Sequence, residues 1–304
     1  MAERTWKSYC KHADALLDMG RPEAALKSAR KALGLDIQQS EPWFEACRAL
    51  LALNRAEEAL EHAEGGLQRK PGSSWGHRLR STSLSMLNRH TEALEEAEEA
   101  LRLTPEEPLA MRRRARCLYA LDRDEEALAQ VDEAIAKDPE SHYGHSLRSA
   151  IALYLKRFDE AEASARRGLQ LSPGNVELLS RLGDILRKQK RPLEAMAAYR
   201  DAIRIDPTDP RPKKGIKEAG GMLREGRGMM PLIIVGCMLA GVVLSIVLAG
   251  FLPGWLASLM VIVLAFGGLF AGMRINERRL QAKLDGHDPE LWELWQRVER
   301  EPSP

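Results

Sequence analysis

The sequence predicts an all-α chain: a superhelix of stacked helix pairs, then an apolar two-helix hairpin, then a short amphipathic tail helix. Three observations carry this. Ala25, Ala59, Ala93, Ala127, Ala161 and Ala195 recur at a spacing of 34 without slippage, and self-similarity at a period of about 20–50 residues marks a repeat architecture. Ala, Leu, Glu and Arg are abundant and aromatic residues make up only 5% of the 304 residues, a composition of helix formers. Residues 231–273 contain no charged side chain, whereas residues 1–230 are highly charged.

The bulk properties remove several function classes. The formal net charge is +1, so no overall field draws nucleic acid or an acidic substrate. The four cysteines, Cys10, Cys47, Cys117 and Cys237, fit no metal or redox spacing and read as small buried thiols. His142 and His145 share a helix face, but no further ligand completes a metal set. There is no GxGxxG, phosphate loop, HExxH or GxSxG, so neither a cofactor nor an enzyme is expected. The opening MAERTWKSYCKHADA has no apolar core and is not a secretory signal.

Six windows of equal length cover the array: 6–39, 40–73, 74–107, 108–141, 142–175 and 176–209. Position 8 is small in each: Ala13, Cys47, Ser81, Ala115, Ser149, Gly183. Position 20 is the marker alanine, and position 27 is Ala32, Gly66, Ala100, Ala134, Gly168 or Ala202. Positions 4, 8 and 11 share one helix face and 20, 24, 27 and 28 another. Small residues at three of these let two antiparallel helices approach closely. Position 32 is Pro71, Pro105, Pro139, Pro173 and Pro207, with Ile37 as the exception, and proline ends the second helix. Turn elements such as Met19-Gly20-Arg21, Asn54-Arg55 and Asn88-Arg89 separate the pair.

This pattern resembles the tetratricopeptide repeat (TPR) over residues 6–209, most closely in the sixth window with Leu182-Gly183, Tyr199, Ala202 and Pro207. It departs at position 17, where an aromatic survives only as Phe158, and at position 7, which is Arg80, Arg114 and Arg148 in the middle windows. The resemblance implies a concave groove lined by the first helix of each pair through positions 2, 5, 9, 12 and 13. Carried onto this sequence, those positions give Phe44, Arg48, Trp75, Arg78, Arg112, Arg116, Tyr119, Tyr143 and Tyr154, with Met86, Leu109 and Leu153 among them. The family implies a protein or peptide partner. Arginines and aromatics together point to a partner with acidic groups, since arginine grips carboxylates bidentately and aromatics supply rigid contact area. The Lys and Asn of the family's chaperone-tail clamp are matched poorly by Arg112 and Arg116, or by Arg78 and Thr82.

After the array, Asp209-Pro210-Arg211-Pro212 and the following residues to 230 read as a short capping helix running into a Gly-rich linker. The apolar run 231–273 would be roughly 64 Å long as one helix, about twice a bilayer core. It breaks at Leu252-Pro253-Gly254, giving transmembrane helices over 231–252 and 255–273. Arg224 and Arg227 precede the hairpin, while Arg274, Arg278, Arg279 and Lys283 follow it. The positive-inside rule then puts both termini in the cytoplasm, and the composition leans towards a bacterial inner membrane. Gly268 and Gly272 form a GxxxG pair, a face for homo-oligomer contact in the bilayer. The tail, 274–304, carries Leu291, Trp292, Leu294, Trp295 and Val298 on one side, fit either for the membrane surface, the favoured placement, or for docking on the array. The expected function is a membrane-anchored scaffold that holds a partner in its groove. Two alternatives are an assembly factor for a membrane complex and a membrane-active hairpin, pore-forming or bilayer-shaping, regulated by the array.

Overall fold

The computed structural model describes residues 5–225, 239, 277–278, 280–284, 286 and 288–300. The expected hairpin helices at 231–252 and 255–273 lie, Leu239 apart, outside the described residues. Among the described residues, all regular structure is helical and no helix is long and apolar enough to cross a membrane. The chain forms two compact units, Met1–Leu171 and Ser172–Pro304.

The N-terminal unit holds five helix pairs: α1 (Trp6–Asp18) with α2 (Pro22–Leu35), α3 (Ser40–Ala52) with α4 (Ala56–Arg69), α5 (Ser74–Met86) with α6 (His90–Leu103), α7 (Pro108–Ala120) with α8 (Asp124–Lys137), and α9 (His142–Tyr154) with α10 (Phe158–Leu171). First and second helices each recur at the spacing of the marker alanines. Those alanines explain the packing: Ala25, Ala59, Ala93, Ala127 and Ala161 have no exposed surface. A larger side chain there would overpack the helix contact, at a cost of about 1–3 kcal/mol. Cys10, Cys47 and Cys117 are free and buried. Burial pushes the Cys10 and Cys47 thiols up to about 12, so neither is a nucleophile at neutral pH.

Every helix pair turns through the same motif. Gly20, Asn54, Asn88, Asp122, Lys156 and Lys190 all have φ between 57° and 67°. The next residue returns its N–H to the last turn of the helix, as in Arg55 N–H to the Leu50 carbonyl at 2.9 Å and Arg123 N–H to Leu118 at 3.0 Å. This is a Schellman cap, whose left-handed residue is best filled by Gly or Asn. The residue after it is arginine in all six repeats: Arg21, Arg55, Arg89, Arg123, Arg157 and Arg191. Arg55 grips Glu58 through two bonds of 2.6 Å, and Arg89–Glu92, Arg123–Glu126 and Arg191–Glu194 repeat the bidentate clip. The clip joins the turn to the first turn of the next helix. Its sequence signal, an arginine as regular as the alanine, was available and is easily passed over beside the more conspicuous small residues.

The position-7 arginines that depart from the family pattern form a second periodic feature. Arg80 reaches Glu64 at 3.6 Å and Glu96 at 3.1 Å. Arg114 reaches Glu98 at 3.3 Å and Gln130 at 2.7 Å. Arg148 reaches Asp132 at 2.6 Å and Ser164 at 2.8 Å. Each thus ties its own second helix to that of the preceding repeat. His77, at position 4, sits with its two ring nitrogens against the Glu96 carboxylate (2.8 Å) and the Pro71 carbonyl (2.9 Å). The hydrogen bond to Glu96 raises its pKa.

The C-terminal unit holds α11 (Val176–Lys188), α12 (Pro192–Ile205), α13 (Pro210–Glu225) and α14 (Pro289–Arg300). Tyr199 is its centre, 1% exposed, with its hydroxyl donating to Asp184 at 2.7 Å. Gly183 and Gly215 make room for the ring: an added Cβ would lie 2.5 Å and 2.3 Å from it. Gly215 and Gly220 of α13 are therefore contact positions within a helix of 16 residues, and the segment is more than a short cap. Between the two placements open to the tail, the structure takes the array over the membrane surface. In α14, Leu291, Trp295 and Val298 are all buried, and Gly220 of α13 receives the Trp295 ring. Arg200 pairs with Asp288, and Arg204 with Glu290 at 2.9 Å. Burying a large apolar side chain stabilises by about 1.5–3 kcal/mol.

Candidate functional site

A groove of about 540 Å³ runs over the first helices α3, α5, α7 and α9. The helical repeat of α7 builds its centre. Leu109, Arg112, Arg113 and Arg116 stand at i, i+3, i+4 and i+7 and therefore share one face, and all four line the groove. Trp75 and Tyr143 enter from the flanking helices at the same register as Leu109. Arg78 and Thr82 come from α5, and Arg48 from α3.

The groove's five arginines differ in what holds them. Arg48 donates to Asp14 at 2.6 Å and to Glu45 at 3.1 Å. Arg78 pairs with Glu107 at 3.0 Å. Arg112 reaches Asp138 at 3.4 Å and hydrogen-bonds Ser141, and its guanidinium lies 5.8 Å from the Tyr143 ring centre. Arg113 and Arg116 have neither an ion pair nor a hydrogen bond among the described residues. Burial holds Arg78 and Arg112 below the ordinary arginine range, against the pull of Glu107 and Asp138. It pushes Arg113 furthest, to about 10, and the neighbouring Arg116 and Arg78 push the same way. Arg78, Arg112 and Arg113 remain cationic at neutral pH. Beneath Arg48, its partner Glu45 is 7% exposed, and burial raises its carboxyl to about 7 against the opposing pull of Arg48.

Seven residues expected from the sequence meet in this groove: Arg48, Trp75, Arg78, Leu109, Arg112, Arg116 and Tyr143. Phe44 does not. It is 1% exposed, with Trp75 edge-on at 5.1 Å. Gly66 and Gly76 form its socket, since a Cβ at either would lie 2.2 Å or 2.6 Å from the ring. Phe44 belongs to the core because two missing side chains draw it inward. Tyr119 and Tyr154 pack edge to face at 5.8 Å, and the Tyr154 hydroxyl donates to Asp122 at 3.3 Å. They form a separate pair, outside the residues that line the groove. Arg113 was missed, because the family positions skip its place. The i, i+4 partnership with Leu109 was the signal that finds it.

Tetratricopeptide repeat models match residues 16–81, 80–142 and 150–210, more than half of the chain. The chain belongs to the TPR family. TPR arrays are protein-interaction scaffolds that bind protein or peptide partners and are generally non-enzymatic, and the chain shares that role at the family level. No curated protein sequence matches it. Its TPR fold is similar to that of a thermophilic TPR protein of Thermus thermophilus, at 23% identity and a TM-score of 0.57 over 60% of this chain and 100% of the other. It is also similar to a chain of the Cut9–Hcn1 hetero-tetramer of the APC/C, at 14% identity and TM-score 0.66 over 72% and 43%. PilW, a type IV pilus biogenesis factor, is similar at 15% identity and TM-score 0.59 over 69% and 97%. At these identities the likeness is one of fold.

Proposed function

We propose that this TPR protein is a membrane-anchored scaffold that binds an acidic segment of a protein partner in its groove and holds it at the bilayer. The observation that carries the groove half is the pair Arg113 and Arg116, cationic and unpaired among the described residues, beside the Trp75 and Tyr143 rings. Guanidinium groups without a carboxylate of their own chain recruit one from a ligand. The membrane half rests on the sequence of 231–273, too long and too apolar for a loop in water. Its basic flanks place both termini on the cytoplasmic side, in a bacterial inner membrane on this reading. Arg112→Glu combined with Arg116→Glu abolishes photocrosslinking of the partner in native membranes and leaves helicity unchanged. Undiminished crosslinking places the partner elsewhere. Deleting 231–273 moves the protein from the carbonate-resistant membrane fraction to the supernatant; a deletion variant that stays with the membrane refutes the anchor.

A further inference from the structure

We propose that α13 is a lipid-reading helix: its basic stripe rests on the anionic headgroups of a bilayer and sets the C-terminal unit against that surface. This rests on the reading that 231–273 lies in the membrane. The 16 residues of α13 carry five bases, Arg211, Lys213, Lys214, Lys217 and Arg224, and two acids, Glu218 and Glu225. The fold separates them. Ile216, Ala219 and Leu223 are buried where α13 packs on α11, α12 and α14, and the Tyr199 and Trp295 rings close on Gly215 and Gly220. Lys214, Lys217 and Gly221 stand at i, i+3 and i+7 on the side of the helix turned away from those residues, with Lys213 at its edge. Lys214 is exposed, and Lys213 and Lys217 are half-buried. Gly221 leaves the stripe open beside Lys217, since an added Cβ there would meet nothing within 4 Å. Arg211 is answered by Asp209 at 2.7 Å. Glu218 turns to Arg187 of α11 at 3.1 Å, so the acid nearest the stripe serves the preceding repeat.

Position along the chain decides what such a face meets. Five residues, 226–230, separate the end of α13 from the charge-free 231–273, and Arg227 stands among them. A basic helix tethered that closely to a spanning segment samples the headgroup layer, and each base near an anionic surface strengthens attachment by about fivefold. A flexible linker would carry the same charges without direction. Here Tyr199 and Trp295 hold the helix, so attraction at the stripe acts on the C-terminal unit. An acidic protein would offer the same charge, but only the bilayer is tied to the stripe by the chain itself.

The test uses the full-length protein in nanodiscs of phosphatidylcholine, with and without phosphatidylglycerol. Acetylation of each lysine is followed by mass spectrometry, with Lys27 of α2 as the internal reference. Phosphatidylglycerol slows acetylation of Lys214 by about fivefold relative to Lys27, and high salt restores it. In native mass spectra the wild type retains phosphatidylglycerol over phosphatidylcholine. Lys213→Gln, Lys214→Gln and Lys217→Gln combined abolish that enrichment, and Lys214→Gln alone, at an exposed position, lowers it without changing the melting temperature. Equal slowing in both kinds of disc shows shielding that ignores lipid charge and overturns the proposal. No slowing in either overturns it and leaves the anchor standing. Slowing in phosphatidylcholine discs only after membrane-protein extract is added assigns the stripe to an acidic protein and likewise overturns it. A chain that does not enter the discs overturns the anchor reading and this inference with it.

Discussion

Two pairs of arginines, one in each unit, are held in opposite ways. In the C-terminal unit Arg200 and Arg204 lie beside apolar side chains, and the chain's own tail supplies Asp288 and Glu290 to them while inserting Trp295. In the N-terminal unit Arg113 and Arg116 lie beside Trp75 and Tyr143, and among the described residues no carboxylate comes to them. The first arrangement is a finished interface and behaves as a cap. The second has the same ingredients with the acidic half missing. Repeat arrays need capped ends and open faces, and here the distribution of carboxylates, more than that of apolar groups, decides which is which.

The sharpest way to break this contrast is to undo the cap. Trp295→Ala empties the socket over Gly220 and destabilises by about 3–5 kcal/mol. Hydrogen exchange should then rise across α12 and α13 and stay unchanged in α5 to α8; uniform acceleration would mean that the two units do not respond separately. A smaller effect isolates the buried carboxylate in the groove region. Glu45 has its folded pKa raised from 4.5 to about 7, so the folded state holds its proton more tightly than the unfolded chain. Its contribution to stability is fully present below about pH 4.5 and is lost as the pH rises through about 7. Relative to Glu45→Gln, wild type should lose about 2 kcal/mol between pH 5 and pH 8 in urea melts; parallel curves would show that Arg48 holds Glu45 ionised throughout.

The turns supply a control common to both units. Lys156 and Lys190 hold φ of 60° and 61°, a conformation that costs a residue with a Cβ about 1–2 kcal/mol. Lys156→Gly and Lys190→Gly should each stabilise by about 1 kcal/mol at most, and by similar amounts, since the turn is the same in both units. Unequal effects would show that turn geometry, and not charge pairing alone, separates them. Smallest of all, Glu290→Gln removes a pair whose side chains are 66% and 63% exposed. Such pairs contribute about 0–1 kcal/mol, so the melting temperature should barely move, and a large drop would make the tail's electrostatics more important than Trp295.

What was legible in the sequence was whatever repeats. The alanine period located the helix pairs because close helix contact tolerates no other side chain there. Trp75, Arg78, Arg112 and Tyr143 were legible as groove residues because a helix face is fixed by spacing alone. Phe44 was misplaced because its inward turn depends on Gly66 and Gly76, which lie far from it in the sequence. Arg113 was passed over because only positions 2, 5, 9, 12 and 13 were carried onto the sequence, although its i, i+4 spacing from Leu109 puts it on the same face. The tail's docking was open because an amphipathic helix fits a bilayer or a protein equally well by pattern. The socket at Gly220 that receives Trp295 exists only in three dimensions.

The turn clips and the arginine ladder have one further consequence, for how such a chain changes length. Arg123–Glu126 begins and ends inside a single repeat, so excising or duplicating a whole unit carries the clip along intact. The ladder crosses from one repeat to the next within the N-terminal unit, yet it tolerates the same operation. Were 108–141 removed, Arg148 would face Glu98 in place of Asp132, again an acid opposite a base. Circular dichroism of that shortened chain should show a full helical signal per residue, while the loss of α7 takes three of the groove's five arginines with it. Recombination between repeats can thus redraw the groove without disturbing a single local joint.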